Sequence, residues 1–160
     1  MAIDPLKEIT HFLVPVDGTA AAYNALAVVC DMAKRTRAAV SAVHVIEVPR
    51  ALPVEADLAP EAARGEEILT RAEQIADEHD VQVAGELLQA RDAGPALVDE
   101  AFDIGAGAIV VGLDYHRRPY GKFEIGRLPE YVLANAHCEV WVIRYAFDEV
   151  VDDRGGGRVS

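Results

Sequence analysis

The stretch from Ile109 to Ile143 constrains this chain more than any other. A short apolar run ends in Gly112, and a loop carrying Arg117, Arg118, Lys122 and Arg127 follows. A helical pattern (Leu128, Val132, Leu133, Ala136) then leads to a second apolar run, Val140 to Ile143. Strand, loop, helix and strand make one βαβ unit, which requires the two strands to lie parallel. Parallel sheets bind ligands at the C-terminal ends of their strands. The loop there, residues 113–126, has fourteen residues, against about 2–6 for most strand-to-helix connections.

The rest of the chain repeats the pattern. His11 to Val16 reads as a buried strand ended by Asp17 and Gly18. Thr19 is placed to cap a helix on Ala22, Leu26, Val29, Cys30 and Ala33, and Lys34, Arg35 and Arg37 suit its negative end. Ala38 to Val48 predicts a second strand. Pro49, Pro53 and Pro60 mark a linker over 49–60, with a helix beginning near Pro60 and burying Ile68, Leu69, Ala72, Ile75 and Ala76. A third strand is expected over Val81 to Leu88. Asp92, Gly94 and Pro95 start a helix with Leu97, Val98, Ala101 and Ile104 inward, and Gly105 and Gly107 turn into a fourth strand, Ala108 to Val111. Five strands alternating with four helices predict an α/β fold: a doubly wound, five-stranded parallel sheet with helices on both faces. One domain is expected over 1–147, followed by an acidic, glycine-rich tail over 148–160 expected to be disordered.

Composition narrows function. A net charge of −12 argues against nucleic acid and anionic membranes as partners, and no run approaches a membrane span. Cys30 and Cys138, both in apolar surroundings, read as buried reduced thiols of a cytoplasmic protein. The serines are Ser41, within a strand, and Ser160, so no Gly-x-Ser-x-Gly elbow exists. A phosphate loop ending at Gly121-Lys122 needs Gly at 116 and Ser or Thr at 123; His116 and Phe123 stand there. No Gly-x-Gly-x-x-Gly follows the first strand, no histidine or cysteine pair has metal-ligand spacing, and His44 reads as structural. Catalytic and metal-ligating residues are not expected, and the chain reads as a non-enzyme.

Four segments in order resemble the universal stress protein family: Val14-Pro15-Val16-Asp17-Gly18-Thr19, His44-Val45, Ile109-Val110-Val111-Gly112 with its long loop, and the stretch Glu130 to Val140. The resemblance covers about residues 9–145 and implies the strand order 3-2-1-4-5. That order puts Asp17 and Gly112 in one crevice at the topological switch point. In ATP-binding members adenine lies near the residues matching Pro15, Val16 and Asp17, and the phosphates lie in the loop following Gly112. The candidate nucleotide or anion site is therefore Pro15, Val16, Asp17, Val45, Val111, Gly112, Asp114, Tyr115, Arg117, Arg118, Lys122, Gly126 and Arg127. For Asp17 the alternative is an acid that stabilises the start of a helix.

The loop departs from the family's nucleotide pattern of Gly, two residues, Gly, nine residues, Gly, then Ser or Thr. Tyr115 replaces the second Gly, Gly126 comes one residue late, and Arg127 stands where Ser or Thr is expected. Glycine permits positive φ and close backbone approach to phosphate, which tyrosine does not. The four basic residues offer charge in its place. The main reading is a non-catalytic, ligand-binding or regulatory module with altered or lost ATP binding. The alternatives are an ATP-binding member with slow hydrolysis, needing Mg and with Asp114 as a metal or ribose contact, and a structural interaction domain whose crevice Tyr115 or Tyr120 fills. No cofactor is required; ATP or another adenine nucleotide, as a small anionic ligand, is the one considered. Val140, Trp141, Val142 and Ile143 are apolar on both faces of an edge strand, and a homodimer through them is expected, with Trp141 as its anchor.

Overall fold

The computed structural model describes residues 9–114 and 123–146. Nine elements alternate along it: β1 (His11–Pro15), α1 (Ala20–Thr36), β2 (Ala39–Glu47), α2 (Ala59–Glu78), β3 (Val83–Ala90), α3 (Ala93–Asp103), β4 (Ala108–Asp114), α4 (Arg127–Asn135) and β5 (Glu139–Tyr145). The strands form one parallel sheet in the order β3-β2-β1-β4-β5. This is the doubly wound α/β sheet expected. The proposed tail, 148–160, lies outside the described residues.

Alternation along the strands divides the core in two. Phe12, Val14, Val40, Ala42, Ala108 and Val110 face α1 and α2, while Leu13, Val43, Ile109 and Val111 face α3 and α4. The central strands are buried on both faces, which is why they read as unbroken apolar runs. Helix α1 buries a stripe of alanines together with Leu26, Val29 and Cys30. Small side chains let it lie close on the sheet. Thr19 Oγ1 accepts from the Ala22 amide at 3.3 Å and caps it. Cys30 is buried and its thiol is pushed up to about 11, by burial first and then by Asp31. Cys138 is only half-buried, so the expectation of two buried thiols holds for one.

Three helices end in the left-handed conformation, at Arg37 (φ 60°), Asp80 (φ 55°) and Gly105 (φ 70°). After α2 the Val81 amide donates back to Ala76 O and the Asp80 amide to Asp77 O, a Schellman closure. Val81 is therefore used by the helix end and packs on the core from there. That is why β3 begins at Val83, two residues later than its apolar run suggests, and reaches Ala90. In α4, Pro129 and Val132 are buried, but Leu133 is 48% exposed. The helical pattern of the sequence places Leu133 inward; this short helix buries too narrow a stripe to include it.

Strand β5 is an edge. Trp141 and Ile143 pack toward α1, Val140 toward α4, and all four residues from Val140 to Ile143 are half-buried. The Trp141 ring meets Phe12 edge-to-face, centroids 5.5 Å apart. Part of its apolar surface is thus already used within the chain.

Candidate functional site

The sheet splits at its C-terminal edge. The ladder between β1 and β2 runs to Pro15–Val43 and is extended by the Val16 amide donating to Val43 O at 2.9 Å. The ladder between β1 and β4 stops at Leu13–Ile109. Right-handed crossovers go to opposite sides from β1 and β4, so a crevice opens between them.

The candidate residues at these strand ends are held locally. The exposed Asp17 uses one carboxylate oxygen to accept from the Thr19 amide at 3.0 Å and from the Thr19 hydroxyl at 2.7 Å. The helix-start role thus accounts for that oxygen. His44 Nδ1 lies 2.7 Å from Val16 O, the structural role its position suggested. Val16 is buried on the α1 side, Val111 is buried on the α3 and α4 side with half-buried Val45 nearby, and Pro15 is half-buried. Gly112 faces α1. A Cβ there would overlap the Ala21 carbonyl oxygen and lie 2.6 Å from the Ala21 carbonyl carbon and 3.1 Å from Ala25 Cβ. Its φ is not positive, so this glycine is needed for the close approach of the α1 backbone. Asp114, half-buried, pairs in register with Tyr145 of β5.

A cavity of about 310 Å³ opens on the α3 and α4 side, lined by Glu47, Asp92, Ala93, Gly94, Pro95, Arg127, Leu128 and Tyr131. That is near the lower limit of about 300 Å³ for small-molecule sites. Two helices point their N-terminal turns at it. Gly126, with φ 97°, begins α4 and has no side chain to cap it. Asp92 holds the N-cap position of α3 yet makes no capping bond. Its carboxylate instead accepts from the Arg127 guanidinium at 3.3 Å. The arginine is 91% exposed and the aspartate 42%, so the pair is worth about 0–1 kcal/mol and opens easily. The Tyr131 side chain lies against Gly94, where a Cβ would come within 2.7 Å of its Cδ1. Phe123, where the described chain resumes before α4, lies under the Arg144 guanidinium at 4.9 Å.

Of the candidates taken from the sequence, Arg127 lines this cavity. Tyr115, Arg117, Arg118 and Lys122 lie outside the described residues. Pro15, Val16, Asp17, Val45, Val111, Gly112 and Asp114 lie at or near strand C-terminal ends and Gly126 at the start of α4, and none of them lines the cavity. The sequence marks Asp92, Gly94 and Pro95 only as a helix start, and it does not mark Glu47 or Tyr131 as site residues. A signal for two of them existed: Glu47 is the last residue of β2 and Asp92 lies just beyond β3, and both are strand C-termini of the kind that hold ligands. Among the described residues no group of three or more His, Cys, Asp or Glu is placed to hold a metal. No described helix is long and apolar enough to cross a membrane.

The sequence profile of the Universal stress protein family matches residues 8–144. The chain belongs to that family. Solved universal stress proteins share the fold. One from Lactobacillus plantarum is 25% identical, over 85% of this chain and 98% of its own, with a TM-score of 0.68. One from Archaeoglobus fulgidus, in complex with dAMP, is 20% identical over 84% and 97%, with a TM-score of 0.67. One from Arabidopsis thaliana, with AMP bound, is 17% identical over 90% and 97%, with a TM-score of 0.65. No curated protein sequence matches the chain.

Proposed function

We propose that this universal stress protein is a non-catalytic adenine-nucleotide-binding module with altered ATP binding. The observation that carries the reading is the convergence of two helix N-termini and Arg127 on one cavity. Neither helix start is capped by a side chain, so backbone N–H groups and the positive ends of two dipoles are available to an anion. Arg127 adds a planar, permanently charged donor suited to phosphate where the family's nucleotide pattern has Ser or Thr. Apolar surface from Pro95, Leu128 and Tyr131 is available to a base or sugar. Fold relatives in complex with dAMP and AMP support an adenine mononucleotide as the ligand class. Tyr115 in place of a glycine disfavours the phosphate wrapping that ATP requires. Calorimetry on the full chain with adenosine, AMP and Mg-ATP tests the proposal. AMP is expected to bind and Arg127→Ala to weaken it. Absence of binding by all three ligands overturns the reading.

The same reading includes a homodimer through β5. The strand is an edge with half-buried apolar residues on both faces, which suits isologous pairing with a second copy. Leu133 supports it. Tyr131 turns toward α3, so Leu133, two residues on, projects from the flank of α4 away from α3 and is 48% exposed. With Trp141 partly engaged by Phe12, Val142 and Leu133 are the better anchors.

A further inference from the structure

We infer that Asp92 sets the phosphate charge that this cavity accepts, penalising each added phosphoryl group so that nucleosides and monophosphates are favoured over triphosphates. The inference rests on the nucleotide reading above and deepens it. An N-cap aspartate would ordinarily bond its own helix, yet Asp92 makes no such bond and reaches 3.3 Å to the guanidinium of Arg127 instead. The charge offered to an incoming phosphate is therefore already engaged by a carboxylate. Glu47, at the end of β2, is a second carboxylate on the same wall. The described lining thus sets two carboxylates against one guanidinium.

These groups treat the parts of a nucleotide differently. Ribose hydroxyls are donors, and the Glu47 carboxylate can accept from them at no electrostatic cost. One phosphate at the α4 N-terminus can share Arg127 with Asp92. Further phosphates bring more negative charge to the same place while Asp92 remains beside it. Both groups of the pair are open to solvent, so the penalty is screened and depends on salt. The penalty grows with ligand charge, which distinguishes it from a steric effect of the Asp92 side chain.

The test is calorimetry on the full chain without divalent metal, at fixed ionic strength, with adenosine, AMP and ATP. The wild type is compared with Asp92→Asn, which keeps shape and removes charge, and with Glu47→Gln. Asp92→Asn is expected to leave adenosine unchanged, to tighten AMP slightly, and to tighten ATP more, by about threefold, the scale of one solvent-exposed like charge. Raising salt should shrink the difference between variant and wild type. Equal factors for AMP and ATP, or no change in either, overturn the inference while leaving nucleotide binding intact. Absence of binding by all three ligands, in wild type and variants alike, removes the inference together with the reading it rests on. Both side chains are substantially exposed, so circular dichroism should show the variants folded as the wild type.

Discussion

Replacing Gly112 by alanine separates a packing role from a ligand role at a residue the sequence places in the phosphate loop. The added Cβ would lie 2.6 Å from the Ala21 carbonyl carbon, with Ala25 Cβ at 3.1 Å. Carbon contacts settle at about 3.5–4.0 Å, so α1 would have to retreat by about 1 Å. The obstacle is helix backbone and cannot rotate away. The first turn of α1 is also held by the Thr19 cap and by Asp17 bonded to Thr19. Overpacking a core costs about 1–3 kcal/mol, and displacing backbone puts this case at about 3 kcal/mol. For a domain of this size that lowers Tm by about 6–12 °C. Scanning calorimetry on ligand-free protein measures it. Gly94→Ala is the control: there the clash is with the Tyr131 ring, 37% exposed and able to swing outward, so a smaller drop is expected. A Gly112→Ala protein that melts with the wild type but loses nucleotide affinity would refute the packing account.

Two further outcomes follow from the fold. His11 Nε2 lies 2.8 Å from Ser41 Oγ, and its ring also bonds the Ile104 backbone; burial holds its pKa below the usual histidine value, despite the opposing effect of that backbone bond. The folded state thus favours the neutral ring. Its contribution is complete above about pH 6.5 and is lost as pH falls from there through the lowered folded value. Between about pH 7 and pH 5 the wild type should lose more Tm than His11→Gln; equal slopes would show that this histidine carries no pH dependence. On the β5 edge, Val142→Lys places a charge at the proposed two-fold contact. Light scattering should show a dimer for the wild type and a monomer for the variant, and a wild-type mass of one chain at micromolar concentration would end the dimer proposal.

Much of this architecture was legible in the chain because it is carried by local patterns. Unbroken apolar runs such as Phe12–Val14 and Ile109–Val111 mark strands covered on both faces. The 3.6-residue stripes of α1 and α2 follow from helix geometry, and Gly105 announces its own left-handed turn. The strand order came through the resemblance of whole segments to a family. Where sequence and structure part, the closure of a helix end and the packing of a helix decide. Val81 looks like strand because it is β-branched and apolar, but the Schellman closure of α2 claims it. Leu133 fits a helical stripe, but one short helix against one sheet edge has no place to bury it.

The chain by itself determined that a parallel sheet would present its strand ends to one side, and that Arg127 would lie in the loop leading into a helix there. Local periodicity and chain direction suffice for that. Only the tertiary structure decided what Arg127 meets. Asp92 lies 35 residues earlier, in a different βα connection, and reads as a capping residue until α3 and α4 are packed side by side. The same holds for Gly112: its sequence context suggests phosphate, and the folded chain shows the α1 backbone occupying the space a side chain would need. Pair distances across a sheet depend on how helices settle on it, and no local signal encodes them.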